Sequence, residues 1–132
     1  MTQRVTATYL IATLQDARAR TLELVNDLDQ EQLMGPKLPG VNPLRWEIGH
    51  IAYFYEFFIL RSLYGHDSIL GLKADELYDS IAVAHDTRWD LPLLSMTETL
   101  TYMNDVLEKV CAHLVNKNDR FDIHPLPHTV CV

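Results

Sequence analysis

Cysteine is scarce in this chain: Cys111 and Cys131 are the only two, and they do not form a CxxC pair. That excludes a disulfide framework. Cys111 falls on an apolar helical face, where a small buried thiol is expected, while Cys131, next to last in an irregular stretch, is expected to be exposed. Cations are few as well. Eleven Lys and Arg against eighteen Asp and Glu leave a formal charge of −7, with no cluster that would form the basic face nucleic acid requires. No segment approaches the roughly 20 apolar residues of a membrane span. The opening "MTQRVTATYLIATLQDARAR" has too short an apolar run for a signal peptide. Missing too are a phosphate-cradling glycine loop, an internal repeat, and a Ser or Cys nucleophile with a base at recognisable spacing. The expectation is a cytoplasmic protein with neither nucleic acid nor membrane as a partner.

What the chain does have is helical periodicity. Its 132 residues suit one domain. Leu10, Leu14, Ala17, Thr21, Leu24, Val25 and Leu28 recur at steps of three and four, which predicts an amphipathic helix over 7–28, with Arg18 and Arg20 off its stripe. "DQEQLMGPKLPGVNP" interrupts it with glycine and proline and leaves room for one turn at Gln30–Met34. Asn42-Pro43 then opens a second helix, Asn as N-cap and Pro at the first helical position, running to about Tyr64 and ended by Gly65. This helix is apolar on two neighbouring rows: Leu44, Ile48, Ile51, Tyr55 and Phe58, then Trp46, His50, Tyr53, Phe54, Phe57 and Arg61. Such a helix is surrounded by neighbours. "KADELYDSIAVAH" suits a short helix. Ser95 and Glu98 form a capping box for a third long helix with the stripe Leu100, Met103, Leu107, Val110, Cys111 and Leu114. After Asn116 the period fails, so the fold class expected is an all-α bundle of three long helices over 1–116. The irregular Pro/His-containing tail 117–132 stands where a fourth helix would be.

Six histidines offer ligands: His50, His66, His85, His113, His124 and His128. A lone histidine on an apolar helix face is more often a hydrogen-bonded core residue than a ligand. His66 reads as a helix-end loop residue, and His113 sits near a helix C-terminus, where a cation suits the dipole. His124 and His128 are spaced i, i+4, but Pro125 and Pro127 push the segment toward polyproline geometry at about 3.1 Å per residue, a poor chelate. The loop "AHDTRWD" packs His85, Arg88 and Trp89 among acids, as ligand-facing loops often do. The alternative is a loop pinned to the bundle by Trp89 and a local Arg88–Asp bridge.

"NPLRWEIGHIAYFYEFFIL" resembles the first histidine motif in the N-terminal DinB-like domain of the ergothioneine-biosynthesis sulfoxide synthases: a Pro, a Trp, then Gly-His followed by aromatics and a Glu. "LYDSIAVAHDTRWDLPLLSMTETLTYMNDVL" is similar to the selenoneine-synthase-like branch of that group. The resemblance spans about residues 5 to 115. It implies a DinB-like four-helix bundle joined to a catalytic domain of the formylglycine-generating-enzyme type. In such enzymes a non-haem iron held by three histidines couples sulfur or selenium to hercynine. The Gly-His ligand maps onto His50, and loop arginines near "HDTRW" make Arg88, flanked by His85 and Trp89, the candidate for holding the chalcogen donor. The other two ligands come from an HxxxH-like pair on the fourth helix. Here only His124 and His128, in unhelical sequence, stand in for it.

Three readings follow. The chain is the N-terminal part of a C–S or C–Se synthase, not catalytically competent alone and served by a separate catalytic domain. Or it is a stand-alone DinB-like protein binding a divalent metal. Or it is a non-catalytic helical oligomerisation module. All three leave an apolar face of the second helix uncovered, which predicts a homodimer.

Overall fold

The structure, a computed structural model, describes residues 3–116 and 121–123, with side chains from Val5 to Asn116. It is all-α but for two three-residue strands. The first helix, α1 (Ala7–Val25), starts at Thr6, whose side-chain oxygen accepts from the Tyr9 N–H at 3.1 Å. It leans mainly on α5 (Met96–Val115) and fully buries only Ala7 and Val25. The stripe is largely the one the periodicity predicts: Val25 is buried and Leu10, Leu14, Thr21 and Leu28 are half-buried, with Ala17 and Leu24 outside it. Leu24 is 76 % exposed, whereas Arg18 is half-buried and its Nη1 donates to the Met103 carbonyl at 2.6 Å. A helix with one principal neighbour buries a narrow arc, and the apolar residues outside it face solvent.

The turn at α2 (Gln30–Met34) forms as the sequence suggests, closed by a capping box between Asp29 and Gln32, with Leu33 buried. The second long helix begins one residue later than expected. α3 (Leu44–Tyr55) has Pro43 in the cap position without a side-chain cap, and Asn42 turns instead to donate to Glu47 Oε1 at 2.6 Å. Nor is it one helix throughout: Glu56–Leu63 continues it as π-helix, with Tyr64 N–H donating to the Ile59 carbonyl at 3.2 Å. Gly65, at φ 69°, ends it. The short helix is α4 (Leu72–Tyr78), followed by a single 3₁₀ turn at His85–Thr87. At α5 the capping box is reciprocal, Ser95 and Glu98 each accepting from the other's N–H at 3.1 Å.

The core lies where α3 crosses α5 and α4 closes over them. Trp46, Ile48, Ala52, Tyr53 and Leu60 meet Tyr102, Met103, Val106 and Val110, with Ala74, Leu77 and Tyr78 beside them. On α5 the buried arc is Thr99, Tyr102, Met103, Val106 and Val110; it shares Met103 and Val110 with the expected stripe, whose Leu107, Cys111 and Leu114 are half-buried and whose Leu100 is 40 % exposed. α5 packs against both α1 and α3, so its buried arc faces between them. Its polar member is satisfied: Tyr102 donates to Glu56 Oε1 at 2.7 Å, and Glu56 Oε2 accepts from the Ile69 N–H at 2.7 Å. Glu56 is fully buried, which is tolerable because both carboxylate oxygens are bonded. Burial and this carboxylate push the Tyr102 phenol well above the ordinary tyrosine range, so it stays a donor.

Strand β1 (Gln3–Val5) pairs antiparallel with β2 (Phe121–Ile123), Gln3 opposite Ile123 and Val5 opposite Phe121. These last three residues were expected to be irregular. Three residues give no readable alternation, and their partner lies at the other end of the chain. The rest of the tail expected in place of a fourth helix, with His124, His128 and Cys131, lies outside the described residues. Cys111 is half-buried where a buried thiol was expected, and burial pushes it up from the ordinary thiol range. No helix among the described residues is long and apolar enough to cross a membrane.

Candidate functional site

His50 and Trp46 lie one turn apart on α3, and that spacing sets them side by side on one helix face. Their rings stack, with centroids 4.5 Å apart and an interplanar angle of 11°. Both reach the end of α4, whose last carbonyls have no partner within the helix. Trp46 Nε1 donates to the Leu77 carbonyl at 2.7 Å, and His50 Nδ1 lies 2.8 Å from the Tyr78 carbonyl. A carbonyl only accepts, so Nδ1 carries the hydrogen of this bond. In the neutral ring, Nε2 is then the lone-pair nitrogen. This is the tautomer found in metal-bound histidines, which give the other ring N–H to a carbonyl or carboxylate.

The glycine before His50 has its own reason. A Cβ at Gly49 would sit 2.4 Å from Cε1 of the Tyr78 ring. Only glycine lets α4 approach closely enough for its carbonyls to meet Trp46 and His50. The Gly-His dipeptide is therefore a packing requirement as well as a motif. The Tyr78 ring is itself buried, and burial raises its phenol to about 12.

Arg88 caps the same stack. Its guanidinium carbon lies 4.1 Å from the Trp46 ring centroid. Arg88 is 8 % exposed and bonds inward: Nη1 to Asn42 Oδ1 at 2.9 Å, and Nη2 to the carbonyls of Ser80 at 3.0 Å and Val83 at 2.9 Å. These partners take the place of the local Asp bridge that the sequence suggested. Its Nε is buried with no partner among the described residues. Burial lowers the Arg88 guanidinium from its ordinary value, partly offset by the Glu47 charge. His85 and Trp89 hold the same loop from its outer side. His85 Nε2 bonds the Val41 carbonyl, Trp89 Nε1 donates to the Met34 carbonyl at 3.2 Å, and the two rings meet edge to face at 5.3 Å.

Beyond the stack, Asp75 on α4 accepts from Tyr53 at 2.7 Å and from Arg61 Nη1 at 2.9 Å. The Arg61 bond, helped by Tyr53, holds the Asp75 carboxyl below the usual carboxylate range against the effect of burial. Burial and Asp75 push the Tyr53 phenol above its own range. Of the expected site residues, the structure thus joins His50 to Arg88 through Trp46 and sets His85 and Trp89 on the outer edge of that loop. His124 and His128 are outside the described residues. Gly49 and Tyr78 were missed by sequence reasoning. The Gly-His pair could have suggested Gly49, whereas nothing local marks Tyr78, which matters through its backbone carbonyl. Among the described residues no group of three His, Cys, Asp or Glu could hold a metal ion.

Against this geometry, the comparison with known families is decisive: the DinB superfamily matches residues 13–128. The chain belongs to the DinB superfamily. This DinB-superfamily chain is also similar to proteins named hercynine oxygenase. It is 37 % identical to that of Mycobacterium tuberculosis over 90 residues, covering 67 % of this chain and 21 % of the relative. It is 35 % identical to that of Mycolicibacterium thermoresistibile over 101 residues, covering 74 % and 22 %. For Mycolicibacterium smegmatis the identity is 34 % over 96 residues, covering 70 % and 22 %. The chain spans about a fifth of the length of these relatives.

Proposed function

We propose that this domain is the ligand-bearing helical part of a non-haem iron synthase acting on hercynine, and that His50 supplies one iron ligand through Nε2. The observation that carries this is the bond from His50 Nδ1–H to the Tyr78 carbonyl, which orients the ring and leaves Nε2 as the lone pair. The likeness to hercynine oxygenases supports the choice of reaction. The donor set fits in part. One oriented imidazole is in place, and His124 and His128 are the candidates for the other two, three imidazoles with open positions being a workable oxygen site. When bound, iron would supply the oxygen activation needed to join sulfur or selenium to the imidazole of hercynine. Arg88 positions Trp46 and hence His50, and is the candidate on its loop for holding a chalcogen donor. His85 and Trp89 hold that loop in place.

The domain alone is not competent for turnover under this reading, and it works in the cytoplasm with a separate catalytic domain. A symmetric dimer through the exposed apolar residues of the α3 and π-helical segment, Leu44, Phe58 and Leu63, belongs to the same proposal. Elemental analysis after anaerobic loading with ferrous iron tests the ligand. One iron per chain, lost in His50→Ala while the circular dichroism is unchanged, is the expected result. Equal iron in both proteins would sink the assignment. Absence of iron in both would favour the non-catalytic helical module over either metal-binding reading, and the same exposed apolar residues speak for it.

A further inference from the structure

At the opposite end of the π-helical segment from Glu56, two other histidines meet. His66 Nε2 and His113 Nε2 are 2.6 Å apart, with the rings edge to face at 70°. Two imidazoles can share this contact only if one Nε2 donates and the other accepts. Two ring nitrogens therefore converge on one point, held together by a single proton. The rings are positioned by the fold. His113, on the last turn of α5, stacks on Tyr64 with centroids 3.7 Å apart and planes 8° apart. His66 follows Gly65, and its N–H donates to the Leu60 carbonyl at 2.8 Å.

The two rings have different surroundings. His66 lines a cleft with Asp67, Asp105, Glu108 and Lys109, whose carboxylates favour a cation on that side, while His113 lines an apolar one with Leu63, Tyr64 and Leu114. The carbonyl end of α5 adds the negative pole of its dipole. None of these groups belongs to the His50 stack.

We propose that His66 and His113 form a second metal site, a two-imidazole clamp for a late first-row divalent cation such as zinc. Imidazole nitrogen suits Zn, Cu and Ni over the harder Mg and Ca. No third His, Cys, Asp or Glu among the described residues completes a ligand set, so water fills the remaining positions. Tetrahedral zinc with Zn–N bonds of about 2.0–2.1 Å separates its nitrogens by about 3.3 Å. The pair must therefore open by roughly 0.7 Å from its 2.6 Å contact. His66 lies in the loop beyond Gly65, where a change of side-chain rotamer makes that adjustment with its backbone N–H still on the Leu60 carbonyl, while His113 is positioned by its helix and by Tyr64. Metal binding would tie this loop to the end of α5.

The test is calorimetric titration of the full chain with zinc chloride in a His50→Ala background, so that a site at His50 cannot contribute. One zinc per chain is expected, weakened by about tenfold or more when His66→Gln is added, since Gln keeps a hydrogen bond but offers no imidazole nitrogen. His113→Gln is expected to do the same. Zinc should raise the thermal midpoint of the His50→Ala protein and not that of the double variant. No zinc binding in the His50→Ala protein, or equal binding with and without His66→Gln, would overturn the site. Should a variant fail to fold, nitrogen-15 spectra of the unmutated protein decide. Zinc-dependent shifts of the His66 and His113 ring nitrogens support the clamp, and unshifted rings refute it.

Discussion

Gly49 shows how much a single missing atom can position. With no Cβ there, the Tyr78 ring lies against α3 and delivers its carbonyl to His50; a Cβ would come within 2.4 Å of that ring. Gly49→Ala is expected to cost about 1–3 kcal/mol through overpacking, measured as a lowered urea midpoint. Under the iron proposal it should also loosen the metal at His50. At Asp75 the consequence is a dependence on pH. Bonds from Arg61 and Tyr53 hold its carboxyl below the unfolded value, so its contribution is present at neutral pH and is lost as pH falls through the depressed folded value. Asp75→Asn should flatten the acid limb of a stability-against-pH curve from urea midpoints, while leaving a clear difference from the parent at neutral pH. An acid limb unchanged by the substitution would show that other carboxylates set it. At this scale the sequence was partly legible. His50 stands out because Gly-His precedes an aromatic run. Arg88 stands out in a polar loop, but its partners are carbonyls of Ser80 and Val83, and no residue type announces a carbonyl.

Among the elements, α5 was the most legible because its signals are local. Ser95 and Glu98 are three residues apart, and the cap they predict is the one that forms. Ser95→Ala is expected to cost about 1 kcal/mol, read as a lower thermal midpoint with an unchanged fold; a neutral effect would show that packing alone holds the first turn. The second long helix was legible as a helix and not as two geometries. Its π-helical half begins at Glu56, a charged residue made acceptable inside only by Tyr102 and the Ile69 N–H, neither of which is near it in sequence. The stripe on α1 was legible except at its edges, where Ala17 and Leu24 face solvent and Arg18 is half-buried. Periodicity marks an apolar face, but where that face is aimed depends on the neighbour, and α1 leans mainly on α5.

For the whole molecule, the open question is what covers the apolar residues that remain outside. Phe58 is 55 % and Leu63 is 69 % exposed, and exposed apolar patches of this kind commonly mark contact sites. Under the dimer proposal, sedimentation at micromolar concentration should give twice the chain mass, and Phe58→Glu with Leu63→Glu should return a monomer with the same helical content. A monomer from the unmutated protein would end that proposal. The sequence by itself determined the helices, the Ser95–Glu98 cap, the breaks at glycine and proline, and a histidine in a motif shared with a known superfamily. These depend on residues within a few positions of one another, where propensity and capping operate. Only the tertiary structure decided that the Tyr78 carbonyl fixes the tautomer of His50, that Glu56 is buried against Tyr102, that His66 meets His113, and that Gln3–Val5 pairs with Phe121–Ile123. Each of those joins groups far apart in the chain, and their meeting is set by how helices cross and not by what either segment prefers alone.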